Sequence, residues 1–124
     1  MNFLDNLFTI KEIVDTEDGF TATVETNPDH PVYLAHFPGN PITPGACIIQ
    51  FTGTLLEQKQ NRKLWLKTIK NVKFLSSITP EKGKEVKFSY SHIVEEATEC
   101  KVQVVVNDDK PTIFTKMTLV FGHE

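Results

Sequence analysis

Apolar and polar residues alternate along most of this chain, a pattern typical of β-strands with one buried face. The alternation runs through residues 7–14 and resumes at Phe20 after Asp18-Gly19, which predicts a β-hairpin. Four later stretches alternate or are rich in β-branched and aromatic residues, so the sequence predicts six strands. These four stretches are residues 63–75, 84–94, 97–107 and 111–121.

One long segment breaks the alternation. Residues 27–45 contain five of the seven prolines, which predicts an irregular connection with a short helical turn at Val32 to Leu34. A helix is expected to follow, with Thr43 as its N-cap, Pro44 at the first helical position and an end near Lys59. Because this helix is apolar nearly all round, we expect other structure to enclose it.

The predicted order of elements is two strands, one helix and four strands. This order fits an α+β fold in which an antiparallel six-stranded sheet wraps around one long central helix, as a single domain over residues 1–124. Since one helix cannot cover six strands completely, we expect a second copy to extend the sheet edge to edge. The sequence therefore predicts a homodimer or a higher even oligomer.

Composition narrows the class of protein. Forty per cent hydrophobic and 23% charged residues are typical of a soluble domain, and no stretch is apolar enough for a membrane span. The N-terminus lacks a basic, apolar secretory signal, which favours the cytoplasm. The net charge of −3 argues against nucleic-acid binding, and the spacing of Cys47 and Cys100 predicts neither a metal site nor a disulfide framework.

The proline-rich segment contains a specific motif. It reads His36-Phe37-Pro38-Gly39, then Pro41, then Pro44-Gly45 at the predicted start of the helix. This arrangement resembles the β-hydroxyacyl-acyl carrier protein dehydratases of the hotdog fold, whose motif H-F-P-G-x-P-x-x-P-G is matched here at all seven fixed positions. The resemblance implies a lyase that removes water from 3-hydroxyacyl thioesters of acyl carrier protein, in fatty acid or related acyl-chain biosynthesis, without a cofactor.

Water elimination from such a thioester requires a base, a group that stabilises the enolate oxygen and an acid that assists the leaving hydroxide. His36 is the predicted base, because imidazole titrates near neutral pH. The Gly45 N–H lies in the first helical turn, where it lacks an intrahelical acceptor and faces the positive end of the helix dipole, so it can bind the thioester oxygen. Phe37 and Pro44, which adjoin these two residues, are predicted to contact the substrate.

The acid is where the sequence departs from the family. The resemblance implies an acidic residue from the partner subunit's helix, fourteen positions after the histidine, and this chain has Gln50 there. An amide can hold a hydroxyl or a water but cannot donate a proton as an acid does. Glu57 lies seven residues further on, roughly 10 Å along the axis, which is too far to replace it. We therefore predict that Gln50 orients the hydroxyl while His36 moves the proton.

Simpler explanations exist for each of these residues. His36 could cap a turn, Gly45 could permit close packing, and Gln50 could be hydrogen-bonded inside a dimer core. Cys47 could form a nucleophilic pair with His36, although small buried cysteines are common. Among the other histidines, His92 is predicted to be a core residue on a strand.

Positive charge is concentrated in residues 61–73, which contain no acidic residue although the chain is net negative. Such a patch suits an acidic partner, and acyl carrier proteins are strongly acidic as a family. The alternative is a solvated strand edge that lysines protect from aggregation. The patch consists of Arg62, Lys63, Lys67, Lys70 and Lys73.

Three functions remain open at this point. The first is a dehydratase-like enzyme that uses His36, Gly45 and Gln50 as described. The second is a hotdog thioesterase, in which Gln50 or His36 positions a water against the carbonyl. The third is a catalytically silent acyl-binding or partner subunit, which retains the fold and pairs with a homologue that supplies the acid.

Overall fold

The structure is a computed structural model that describes residues 4–35, 39–110 and 112–124. Within these ranges the chain forms the elements that alternation predicted, with small shifts at their ends. They are β1 (Phe8–Thr16), β2 (Gly19–Thr26), α1 (Val32–Ala35), α2 (Gly45–Gln60), β3 (Trp65–Phe74), β4 (Glu85–Glu95), β5 (Glu99–Asn107) and β6 (Ile113–Gly122).

The strands form one antiparallel sheet in the order β1-β2-β4-β5-β6-β3. The predicted hairpin joins β1 and β2, and its Gly19 is required by packing, because a β-carbon there would overlap the carbonyl group of Tyr90 in β4. Within the described ranges, strand β3 pairs only with β6, although β4 follows it in sequence. The two edges of the sheet are therefore β1 and β3.

The core lies between the inner face of the sheet and one side of α2. The rings of Phe8, Phe51 and Phe88 pack together, with centroids 4.8 to 5.8 Å apart. The buried Tyr90 hydroxyl donates to the carbonyl oxygen of Thr52 at 2.7 Å, which joins β4 to the helix. Burial of each such aromatic side chain stabilises the fold by about 1.5 to 3 kcal/mol.

Helix α2 is not enclosed on all sides, which corrects the sequence prediction. Because a single sheet covers one side only, Ala46, Gln50 and Thr54 stay exposed along the opposite side. The helix thus has one buried apolar face and one exposed face in this chain. The buried side chains are Ile48, Phe51, Thr52, Leu55 and Leu56.

The start of α2 also differs from the prediction. Pro44 is the N-cap, with extended backbone angles (φ −61°, ψ 141°), and Gly45 is the first helical residue. Thr43 does not cap the helix, because its hydroxyl is hydrogen-bonded to the hydroxyl of Tyr33 at 2.9 Å. The Thr43 side chain therefore makes a tertiary hydrogen bond and does not form the helix cap that the local sequence predicted.

His92 is exposed, so the prediction of a core histidine is wrong. The pairing of β4 with β5 shifts between Ser91 and Val94, and His92 has a positive φ of 49° at this bulge. The bulge interrupts the alternation that places Tyr90 inside, so the next even-numbered residue no longer faces the core.

Candidate functional site

The structure describes the second half of the motif. His36 and Phe37 lie outside the described residues, so their predicted roles stay predictions. Pro44 and Gly45 are adjacent at the start of α2, where the N–H groups of Cys47 and Ile48 both bond the Pro44 carbonyl oxygen, at 3.0 and 3.2 Å. Among the described residues, none accepts a hydrogen bond from the Gly45 N–H. The donor that the proposed oxygen-binding role needs is available.

Phe74, at the end of β3, packs directly against Gly45. Three carbons of its ring lie 2.5 to 2.9 Å from the position that a β-carbon of residue 45 would occupy. A side chain at position 45 would therefore have to displace the Phe74 ring, whatever the amide of this residue does. The sequence analysis missed Phe74 as a neighbour of the motif, because this contact joins residues 29 positions apart and leaves no local pattern.

Pro44 and Gly45 line a cavity of about 350 Å³ between the start of α2 and the connection from β3 to β4. Phe74 forms one wall, and Ser76 and Ser77 form a polar part of the lining. Two of the predicted substrate contacts thus share one cavity.

Gln50 lies elsewhere, in a second groove of about 480 Å³ between the exposed face of α2 and β3. Gln50 comes five positions after Gly45, which corresponds to about 7.5 Å along the helix axis. The two residues do not line the same cavity within one chain. The groove is lined by Ala46, Ile49, Gln50, Gly53, Thr54, Glu57, Leu64, Leu66, Ile69 and Phe121.

Glu57 is the carboxylate in this groove, and it already has a structural partner. One carboxylate oxygen accepts a hydrogen bond from the backbone N–H of Leu64 at 2.9 Å, which fixes the connection between α2 and β3. Because this carboxylate is already hydrogen-bonded to the backbone, its position agrees with the expectation that Glu57 does not replace the missing acid.

Cys47 is half-buried, and burial raises the pKa of its thiol above the usual value. A thiol must lose its proton to act as a nucleophile, so this environment disfavours the Cys47-His36 pair considered from the sequence.

The basic residues do not form one uniform patch. Arg62 is paired with Glu95 at 2.5 Å, and Lys67 is paired with Glu99. Within the described ranges, Lys63, Lys70 and Lys73 have no ion pair, and Lys73 lies opposite Lys116 of β6 in the sheet register. The free positive charge therefore lies just before β3, at Lys63, and in the second half of the strand, at Lys70 and Lys73.

Two further searches covered the described residues. In that part of the chain, no three His, Cys, Asp or Glu side chains are arranged to hold a metal ion. None of its helices has the length and apolarity needed to cross a membrane.

Comparison with known proteins identifies the family. A family model of ApeI-like proteins, described as ApeI dehydratase, matches residues 12–115. The chain belongs to the ApeI-like dehydratase family. This match covers most of the chain, including the motif, α2 and strands β2 to β5.

Curated relatives of the ApeI-like chain include two 3-hydroxyacyl-[acyl-carrier-protein] dehydratases FabZ, from Wolbachia of Drosophila simulans (strain wRi) and from Wolbachia pipientis wMel. Each is 34% identical in an alignment of 59 residues, with 42% of this chain and 41% of the relative covered. The match therefore spans less than half the length of these relatives.

Solved structures with the same fold carry two kinds of description. The dehydratase heterocomplex ApeI:P from Xenorhabdus doucetiae has a TM-score of 0.65 at 15% identity, over 87% of this chain and 90% of that one. Thioesterase HI1161 from Haemophilus influenzae has a TM-score of 0.65 at 13% identity, over 96% and 80%. At these identities the likeness shows the hotdog fold alone.

Proposed function

We propose that this ApeI-like protein removes water from 3-hydroxyacyl thioesters of acyl carrier protein to give trans-2-enoyl products. The proposal rests on the complete motif that ends in Gly45, whose N–H has no acceptor among the described residues. Membership of the dehydratase family supports the same reaction.

In the proposed mechanism, His36 takes the proton from the carbon next to the thioester carbonyl. The electrons of that C–H bond form the new double bond, the C–O bond of the 3-hydroxyl breaks, and the proton leaves with the hydroxyl as water. The Gly45 N–H holds the thioester oxygen while negative charge develops on it. Gln50 orients the leaving hydroxyl, and Phe37 and Pro44 contact the substrate.

The position of Gln50 supports a site that is shared between subunits. Gln50 and Gly45 line different cavities in one chain, so a second subunit is needed to bring an equivalent of Gln50 to the Gly45 cavity. The free edge of β3 is a suitable contact, since Leu66 and Ile69 there are 42% and 47% exposed. A homodimer paired at this edge would supply the second subunit from the same chain.

Docking of the carrier through the basic patch is part of the same proposal. After the internal ion pairs of Arg62 and Lys67, the lysines left to meet acidic carrier residues are Lys63, Lys70 and Lys73. Surface charges of this kind chiefly steer association, so they affect the rate of docking more than the chemical step.

The test is dehydration, and its reverse hydration, of carrier-bound 3-hydroxyacyl and trans-2-enoyl thioesters by the purified protein. His36→Ala should lower turnover by about 10² to 10⁴, because it removes the acid-base group. Gln50→Glu restores the family carboxylate and should raise turnover of an active enzyme.

Three results would oppose the proposal. Release of free acid in place of enoyl product would indicate a thioesterase. Turnover that appears only in Gln50→Glu would indicate a silent partner subunit. Equal activity of wild type and His36→Ala would remove the histidine from the mechanism.

A further inference from the structure

The two described ends of the segment that carries His36 are joined by a buried hydrogen bond. The hydroxyls of Tyr33, in α1, and Thr43, just before α2, lie 2.9 Å apart. Tyr33 is 5% exposed and Thr43 is 4% exposed, so water does not compete for this contact. Since residues 36–38 lie outside the described ranges, the inference concerns these two flanking positions.

Each flank is also fixed to the rest of the protein. On the first side, Nδ1 of the buried His30 accepts from the Val32 N–H at 3.0 Å, so Nε2 carries the proton and donates to the Asp5 carbonyl oxygen at 3.2 Å. On the second side, the Thr43 N–H donates to the Ile78 carbonyl oxygen at 2.9 Å. The Tyr33 and Thr43 hydroxyls therefore connect two anchored points.

We infer that this hydrogen bond fixes residues 39–43 against α1 and so places the Gly45 N–H at the start of α2, which makes Tyr33 and Thr43 positioning residues. The inference rests on the proposed function, because it concerns the N–H that would hold the thioester oxygen. Without this bond, Thr43 loses one of the two hydrogen bonds that anchor it just before α2, and a misplacement of about 1 Å can lower turnover by up to about 10².

Isosteric variants isolate the hydroxyls. Tyr33→Phe and Thr43→Val each remove one partner and keep the size of the side chain. We expect each to lower kcat by roughly tenfold, within the range for small misplacement, with KM little changed. The double variant should be no slower than either single variant, because the same interaction is lost in all three.

Tyr90→Phe is the matched control. It also removes a buried tyrosine hydroxyl that is hydrogen-bonded, here to the Thr52 carbonyl oxygen at 2.7 Å, but within the core and not beside the motif. We expect this variant to lose stability to urea while its kcat stays close to wild type. Unchanged kcat in Tyr33→Phe, or an equal fall in Tyr33→Phe and Tyr90→Phe, would overturn the inference.

Hydrogen–deuterium exchange gives a readout that does not depend on activity. The amides of Gly39, Asn40, Ile42 and Thr43 should exchange faster in Tyr33→Phe than in wild type, and should be unchanged in Tyr90→Phe. If the wild-type protein has no dehydratase activity, the proposed function fails and exchange alone decides whether this hydrogen bond orders the segment. Unchanged exchange in Tyr33→Phe would overturn the ordering role.

Discussion

Two different properties of glycine could matter at position 45. One is the absence of a β-carbon, and the other is the accessible backbone N–H. The Phe74 ring occupies the space where a β-carbon would lie, whereas the proposed oxygen-binding role uses the backbone N–H. Alanine keeps that N–H and adds a methyl group against the ring. A substitution at Gly45 therefore perturbs packing first, and its effect on catalysis has to be separated from that packing.

Gly45→Ala should lower turnover because the displaced Phe74 ring, which also lines the Gly45 cavity, would narrow the approach to the amide. The cost in stability should be at most about 1 kcal/mol, at the low end for overpacking, since Phe74 is 51% exposed and can move. Steady-state kinetics and urea unfolding measure the two effects.

The double variant Gly45→Ala, Phe74→Ala is the decisive comparison. If steric displacement is the cause, it should recover turnover to the level of Phe74→Ala alone. No recovery would show that the methyl group itself, and not the ring, disturbs the site.

At the level of elements, alternation predicted the six strands because a sheet with one buried face imposes period two on the sequence. Helix α2 was predicted to within a residue at each end, although its N-cap is Pro44 and not Thr43. The exposure of one face of α2 was not predicted. A helix that its own sheet covers and a helix that another chain covers have the same pattern of apolar residues in the sequence. The bulge before Val94 and the contacts of Thr43 and Phe74 were also missed, since each depends on tertiary packing.

The end of α2 is tied to β4 by an ion pair that is sensitive to acid. The hydrogen bond from Arg62 is the main cause that lowers the pKa of the Glu95 carboxyl below its usual value. Gln60 donates to the same oxygen, and His123 lies 3.6 Å from the other one. A depressed carboxyl pKa in the folded state means that the unfolded chain binds more protons in acid. The ion pair therefore stabilises the fold at a pH above the Glu95 pKa of the unfolded chain. This stabilisation is lost as the pH falls through the Glu95 pKa of the folded chain.

Arg62→Gln should make the free energy of unfolding depend less steeply on pH in acid. Without the hydrogen bond from Arg62, the pKa of Glu95 should differ less between the folded and unfolded chains. Urea midpoints measured from pH 7 down to about pH 3, across the usual range of carboxyl groups, would show the change. Lys87→Gln is the control, since it breaks another surface ion pair, with Asp109, and leaves Glu95 untouched. If the urea midpoint of Arg62→Gln fell as steeply in acid as that of wild type, Arg62 would not be the cause of the lowered Glu95 pKa.

At the level of the whole molecule, the β3 edge combines apolar side chains with positive charge. Two copies paired there would bring together Lys67, Lys70 and Lys73 of each strand, and Lys70 and Lys73 have no ion pair among the described residues. Like charges across paired strands repel, and salt screens that repulsion. A homodimer formed through this edge should therefore become tighter as salt rises, whereas docking of an acidic carrier protein should become weaker.

Sedimentation velocity of the protein alone, from about 0.05 to 0.5 M salt, measures the first effect, and the apparent KM for carrier-bound substrate in the same series measures the second. Lys70→Gln, Lys73→Gln should reduce both salt dependences, because these lysines have no ion pair among the described residues. Self-association that weakens with salt would contradict pairing of two β3 edges. It would favour a contact between opposite charges. In such a contact, the lysines of β3 would meet an acidic surface on another part of the protein or on a different chain.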